Sequence, residues 1–205
     1  MEDYIKKKLK KIILSIIFST TGFFLMLILI LACAVAGAMN SKEDKTHGNV
    51  EATVTQEAFI NNMIAFNELA KEKGIFPSVM LAQASIESDW GSSDLTTKAN
   101  NLFGVKAYNW SGDTIEMNTQ EDIGGGNMIT ISSYFRKYNS WDDSIKDYLE
   151  FFHANPRYAE NGVFEAKNYK EQLEAIKRSG YATASNYVEV LCNRIDEYGW
   201  AKYDE

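Results

Sequence analysis

Cysteine and histidine are almost missing from this chain. Its two cysteines, Cys33 and Cys192, cannot staple the region beyond residue 40 to itself, which excludes a disulfide-rich secreted scaffold. His47 and His153 are the only histidines, so the common Cys/His zinc sites are excluded too, and no metal or cofactor is expected. Internal repeats and low-complexity tracts are also lacking. Charge is absent from one long stretch: from Ile12 to Met39 no residue is ionisable as Asp, Glu, Lys or Arg, and Ile, Leu and Phe dominate. About 20 apolar residues cross a bilayer core of roughly 30 Å as a helix, whereas the core of a removed signal peptide is about 7–15 residues long. Residues 12–39 therefore read as a transmembrane anchor. Two cleavage readings compete. Ala36-Gly37-Ala38 has the small-x-small pattern of a signal peptidase site, and Ile30-Leu31-Ala32-Cys33 resembles a lipoprotein box with Cys33 as the lipid attachment point.

What surrounds that stretch sets its orientation. Lys6, Lys7, Lys8, Lys10 and Lys11 precede it, while Lys42, Glu43, Asp44 and Lys45 cancel after it. Positive charge stays inside, so residues 1–11 are expected in the cytoplasm and everything from about residue 40 outside the cell membrane. Five lysines against Glu2 and Asp3 make the first eleven residues net +3, which leaves −10 of the chain's net −7 on the remainder. Phosphate affinity needs Lys and Arg to displace counterions, so nucleic acid is excluded as a partner.

Residues 40–54 are polar and aperiodic and read as a tether, followed by one folded domain over 55–205. A first helix is expected with Thr55 as N-cap and Phe59, Met63, Phe66 and Leu69 at helical spacing, ended by Lys73-Gly74. A second starts at Pro77, suited to a first helical turn, and runs to Trp90 before Gly91. Thr96 to Lys106 look irregular. Between Thr114 and Tyr138 the β-prone Met128-Ile129-Thr130-Ile131 follows Gly124-Gly125-Gly126, which predicts a small hairpin. Helices resume at Ser140, with Ser140-x-x-Asp143 similar to a capping box, at Asn168-x-x-Glu171 up to Gly180, and after Ser185 with Val188, Leu191, Ile195 and Tyr198 as the buried stripe. The fold class is α+β, mostly helical, with a small β-hairpin lobe.

The second helix holds the residue with most chemical promise. Met80, Gln83, Ala84, Glu87 and Trp90 share one side through i+3 and i+4 spacings, so Glu87 sits among apolar and neutral neighbours. Burial disfavours the ionised carboxylate and raises its pKa; a Glu raised in this way donates a proton near neutral pH. A carboxylate on a solvated helix edge is the plainer alternative from this helix alone.

The surrounding words resemble the glucosaminidase domains of glycoside hydrolase family 73, found in bacterial autolysins and flagellar rod-cap hydrolases and lysozyme-like in fold. The matching stretches are Gly74 to Ala84, Ile86-Glu87-Ser88, Trp90 to Ser93, Ala99 to Lys106, Phe135 to Tyr138, Asp147-Tyr148 and Gly180 to Thr183, in family order across nearly the whole outer domain. The resemblance implies an endo-acting enzyme on peptidoglycan glycan strands, cutting the β-1,4 bond between N-acetylglucosamine and N-acetylmuramic acid. It implies Glu87 as general acid and a second acidic residue on the hairpin, aligned with Glu121, with Asp122 and Glu116 as substitutes. It maps the cleft tyrosine of the Gly-Tyr-Ala-Thr motif onto Tyr181. Glycosidases usually flank the scissile bond with two carboxyls; alternatively the substrate's own 2-acetamido group attacks, and Glu121 then assists.

Asn101, Trp90, Phe103 and Tyr138 lie in or beside the matched words and are expected, with Tyr181, to bind substrate; for each aromatic, core packing is the competing reading. Arg136 reads as a structural partner of a carboxylate, His153 as a residue at a helix end beside Phe152 without a functional role, and Cys192 as a packed thiol. Ala184 stands where the family motif often carries Asp. A lytic transglycosylase or muramidase on the same strands is the nearest rival. A non-catalytic wall-binding subunit of an envelope apparatus is another, opposed by the presence of both Glu87 and Glu121. An envelope-spanning apparatus is also the partner expected of a hydrolase confined to the membrane surface.

Overall fold

In the computed structural model the described residues are 53–122, 128–182 and 184–205, with backbone alone for Val54, Thr119 to Asp122, Met128 and Ile129. The expected anchor over 12–39, most of the tether and the Gly124-Gly125-Gly126 turn lie outside them. Among the described residues no helix is long and apolar enough to cross a membrane.

Among the described residues eight helices and one hairpin follow in order: α1 (Val54–Ile64), α2 (Asn67–Glu72), α3 (Pro77–Glu87), α4 (Asp94–Ala99), β1 (Thr114–Asp122), β2 (Met128–Arg136), α5 (Trp141–Ala154), α6 (Pro156–Glu160), α7 (Tyr169–Arg178) and α8 (Tyr187–Tyr198), followed by a 3-10 turn over Trp200–Tyr203. The architecture is mostly helical with one antiparallel two-stranded sheet, as the α+β reading expects. Several boundaries differ from expectation. The first helix is capped by Thr53, whose side chain and that of Gln56 form a reciprocal capping box, rather than by Thr55. It breaks at Ala65-Phe66 and restarts as α2. Ser93 accepts from the Thr96 amide and starts α4, which runs into the beginning of the stretch read as irregular. The last helix has Asn186 rather than Ser185 at its N-cap position, without a side-chain cap.

Helix α3 is the axis of the fold. It packs against α1, α2, α7, α8 and the 3-10 turn, so all residues from Pro77 to Ser85 are buried. A helix enclosed on every side is apolar all round, which accounts for the run of Val79, Met80, Leu81, Ala82 and Ala84. Its start lacks a local cap. Tertiary partners satisfy the orphan amides instead: Phe76 N–H donates to Gln172 Oε1 at 2.8 Å and Ser78 N–H to Asp204 Oδ1 at 2.9 Å.

The helix stops at Glu87, three residues short of the expected end. The Ser88 hydroxyl donates back to the Ala84 carbonyl at 2.6 Å and accepts from Gly91 N–H at 2.8 Å. Asp89, Trp90 and Gly91 then turn left-handed at φ 48°, 55° and 87°. For Asp89 and Trp90 that conformation costs energy that surrounding packing must offset. A side chain at Gly91 is forbidden twice over, by its φ and because a Cβ would lie 2.5 Å from the Trp141 ring.

The hairpin pairs Thr114 with Arg136 through to Asp122 with Met128. Its base is fastened to α5. Arg136 Nη1 donates to both Asp147 oxygens at 2.7 Å, the Tyr138 hydroxyl donates to Asp147 Oδ2 at 2.6 Å, and the Arg136 guanidinium lies 4.5 Å over the Trp110 ring.

Candidate active site

The enclosed helix delivers one ionisable side chain, at its last residue. Glu87 is half-buried where α3 emerges from the core. Desolvation pushes its carboxyl well above the ordinary range, and among the described residues no cation or hydrogen bond offsets it. Three tyrosines from other elements surround it: Tyr148 of α5, Tyr181 in the turn after α7, and Tyr187 at the start of α8. All three are buried. Burial raises each phenol first, and the Glu87 charge adds to the rise in all of them. Near neutral pH all three hydroxyls therefore keep their protons and act as donors.

Their hydrogen bonds differ. The Tyr148 hydroxyl donates to Gln83 Oε1, and Gln83 Nε2 donates to the Tyr187 hydroxyl at 2.8 Å. The Tyr181 hydroxyl is buried and has no hydrogen-bond partner among the described residues. Such an arrangement can hold a carboxylic acid protonated, release its proton to an oxygen arriving at the open face, and offer neutral donors to the charge left behind. Among the described residues no group of three or more His, Cys, Asp or Glu side chains is placed to share a metal ion.

The second expected carboxylate lies on β1. Glu121 is opposite Ile129, one pair before the last of the ladder; its side chain lies outside the described residues, as does that of Asp122. Strand residues alternate between faces, so Glu116, five positions earlier, belongs to the opposite series. Glu116 is exposed and accepts from the Ser132 hydroxyl.

Three residues expected at the substrate are instead committed to the scaffold. Asn101 is buried, and its side chain is fully engaged by backbone: Nδ2 donates to the carbonyls of Val105 and Arg136, and Oδ1 accepts from Val105 N–H. It splices the α4–β1 loop to the end of β2. Phe103 is fully buried, its ring stacked 3.8 Å from that of Tyr148. Tyr138 is buried and spends its hydroxyl on Asp147. Trp90 stays half-buried, but the left-handed turn carries it off the α3 face. Its ring meets Phe59, Tyr198 and Trp200 at 5.1–5.9 Å, with the Arg194 guanidinium 5.0 Å away. Tyr181 does stand beside Glu87, although under the surface. Its ring rests against Phe152 and Tyr187, and Gly180 before it turns left-handed at φ 79°. Arg136 pairs with Asp147 and Cys192 packs against the core, as expected; His153 is exposed, its ring stacked 4.4 Å from that of Phe164.

Sequence reasoning passed over Gln83, Tyr148 and Tyr187 as a set. The available signal was the one amide side chain of a largely apolar helix, one turn before Glu87; its phenolic partners lie 65 and 104 residues away and have no local signature.

A family model described as mannosyl-glycoprotein endo-beta-N-acetylglucosaminidase matches residues 63–200. The exo-glucosaminidase LytG of Bacillus subtilis is 36% identical over 98% of this chain and 70% of its own length, an alignment that extends through the apolar N-terminal segment. The peptidoglycan hydrolase FlgJ of Vibrio parahaemolyticus is 35% identical over 65% of this chain, which spans only 44% of that protein. Among solved structures, the catalytic domain of the autolysin Auto from Listeria monocytogenes superposes with a TM-score of 0.64 at 29% identity, covering 85% of this chain and 97% of that one. A mutant of a peptidoglycan hydrolase from Sphingomonas sp. A1 gives 0.62 at 28% identity, over 72% of this chain and 97% of that one.

Proposed function

The chain belongs to the glucosaminidase family of peptidoglycan hydrolases, and from that premise we propose that Glu87 is the acid that cuts the β-1,4 bond after N-acetylglucosamine in glycan strands. The observation that carries this reading is a single, half-buried carboxyl at the end of a buried helix, ringed by tyrosines and pushed above the ordinary carboxylate range by desolvation. The Glu87 proton passes to the glycosidic oxygen as the bond from that oxygen to the anomeric carbon breaks. Water then adds to the anomeric carbon and gives up a proton, restoring the acid. Glu121 on β1 serves the water-addition half of the reaction, as base or by orienting the substrate's acetamido group. Tyr181 offers to the same centre a hydroxyl that has no partner among the described residues.

Digestion of purified peptidoglycan, followed by borohydride reduction and mass spectrometry, tests this. New reducing ends on N-acetylglucosamine are expected. Ends of 1,6-anhydro-muramic acid would show a lytic transglycosylase, and reducing muramic acid a muramidase; either overturns the assignment. Whether cutting is internal or terminal is a separate point. The family description favours internal cleavage, and the likeness to LytG over 98% of the chain favours exo action. Long fragments early in the digest mark the first, steady release of small products the second.

Residues 12–39 hold the enzyme in the membrane with its catalytic domain outside. The support is the uncharged run flanked by inner lysines. From that position it opens glycan strands close to the membrane, where an envelope-spanning apparatus would need a gap. Carbonate-resistant membrane retention of the full chain, with the domain accessible to protease from outside, is the expected behaviour.

A further inference from the structure

Gln83 has an unusual position. It is one turn before Glu87 on α3, so the two side chains are neighbours on one face, and it is 1% exposed in the most enclosed part of the fold. An amide there must find partners for both ends. It finds two phenols: Oε1 accepts from Tyr148, and Nε2 donates to Tyr187 at 2.8 Å. An amide has one accepting end and one donating end. Of the two hydroxyls it holds, only Tyr148 must surrender its proton to the amide. Tyr187 receives a proton from Gln83 and, among the described residues, passes its own to no acceptor.

We propose that Gln83 is a positioning residue for Glu87: clamped between Tyr148 and Tyr187, it keeps the Tyr187 hydroxyl proton uncommitted and one helical turn below the Glu87 carboxylate, which turns to that donor once its own proton has gone to the leaving oxygen. The inference rests on Glu87 being the acid. Before proton transfer Glu87 is a neutral carboxyl facing substrate and needs no such donor. Afterwards it is a desolvated anion, and a hydroxyl fixed in advance stabilises it without reorganisation. The groups facing Glu87 are the phenols of Tyr148 on α5, Tyr181 before α8 and Tyr187 on α8, and the Glu87 charge bears on each. Among the described residues no lysine or arginine charge bears on Glu87 or on these three.

The test compares Glu87 titration across variants of the full chain in detergent, by NMR of carbon-labelled glutamate carboxyls, with the Glu87 resonance assigned by its loss in Glu87→Gln. Loss of a hydrogen bond to the ionised form raises a carboxyl pKa, here by roughly one pH unit. Tyr187→Phe should show that rise. Gln83→Met, similar in volume but unable to hold either phenol, should show it too, and the double variant should add nothing further. Tyr148→Phe is a second handle should Gln83→Met fold poorly. It frees the amide oxygen to take the Tyr187 proton, so Glu87 should again titrate higher. The alkaline limb of kcat/KM should move with the NMR value in each variant. An unchanged Glu87 titration in Tyr187→Phe, or a rise there with none in Gln83→Met and Tyr148→Phe, overturns the proposal. Failure of the catalytic assignment is read separately, as full activity in Glu87→Gln whatever the titrations show.

Discussion

Glu87 binds its proton more tightly in the folded chain than in the unfolded one, and that difference couples activity to stability. Between the unfolded carboxyl pKa, about 4.3, and the raised folded value, the native state holds a proton that the unfolded state lacks. Stability therefore falls as pH rises through that window. Glu87→Gln removes the ionisation while keeping shape. Its melting temperature should exceed the parent's by a margin that widens upward from about pH 4.3, while hydrolysis falls by roughly 10²–10⁴. Scanning calorimetry of both proteins from pH 4 to 8 checks the first part and a peptidoglycan digest the second; a margin that does not vary with pH would falsify the desolvated-acid picture. At this scale the sequence was readable where chemistry is local. Glu87 was legible because its neighbours at i−3 and i−4 are apolar or neutral, so a desolvated carboxyl followed from spacing. The surroundings of Asn101 and Phe103 were not legible for the converse reason: their partners, the carbonyl of Arg136 and the ring of Tyr148, come from distant segments.

Elements differ from residues in how far local signals reach. Caps were legible where a side chain bonds to a nearby amide, as Ser140 does to Asp143 and Asn168 to Glu171. The end of α3 was not, because Asp89 and Trp90 adopt a left-handed turn that an aromatic group from α1, α8 and the C-terminal turn holds in place. The hairpin was legible from its β-prone run, but not the means by which it is held. Arg136 and Asp147 are largely buried, at 15% and 20% side-chain exposure, so removing one partner leaves a poorly solvated charge. Asp147→Ala should cost on the order of 3 kcal/mol in urea unfolding. The loss should fall on the hairpin first, since Tyr138 and Asn101 share the same junction. Amide exchange in β1 and β2 should accelerate at denaturant levels that leave α3 protected. Equal acceleration in α3 would mean that the junction supports the entire fold rather than the strand pair that carries Glu121.

The molecule as a whole is closed by a contact that spans the chain. Asp204 reaches the first turn of α3, where it takes the Ser78 amide proton at 2.9 Å and the Ser78 hydroxyl proton at 2.6 Å. Trp200, 2% exposed, packs beneath Trp90 and Tyr198. No periodicity in either segment announces that pairing; the order of motifs was readable along the chain, but what the last turn caps was not. The consequence is that the helix bearing Glu87 is fixed at its start by residues that follow every motif. Asp204→Ala leaves the buried Ser78 N–H without a partner and should cost about 1–3 kcal/mol. Asp204→Asn keeps an oxygen for that N–H and should cost less. Burial raises the Asp204 carboxyl against the lowering effect of its Ser78 bonds, so the ionised form is the less favoured one in the fold. Its contribution therefore declines as pH climbs past the unfolded carboxyl value, and the asparagine variant should gain on the parent over the same range. Trp200→Ala, which empties the space under Trp90, should cost more than either, about 3–5 kcal/mol. Urea melts of the three variants at pH 5 and pH 7.5 give the comparison. If Asp204→Ala unfolds within 0.5 kcal/mol of the parent (a margin typical of surface substitutions), the C-terminal turn merely rests on α3, and the helix start is held by Gln172 alone.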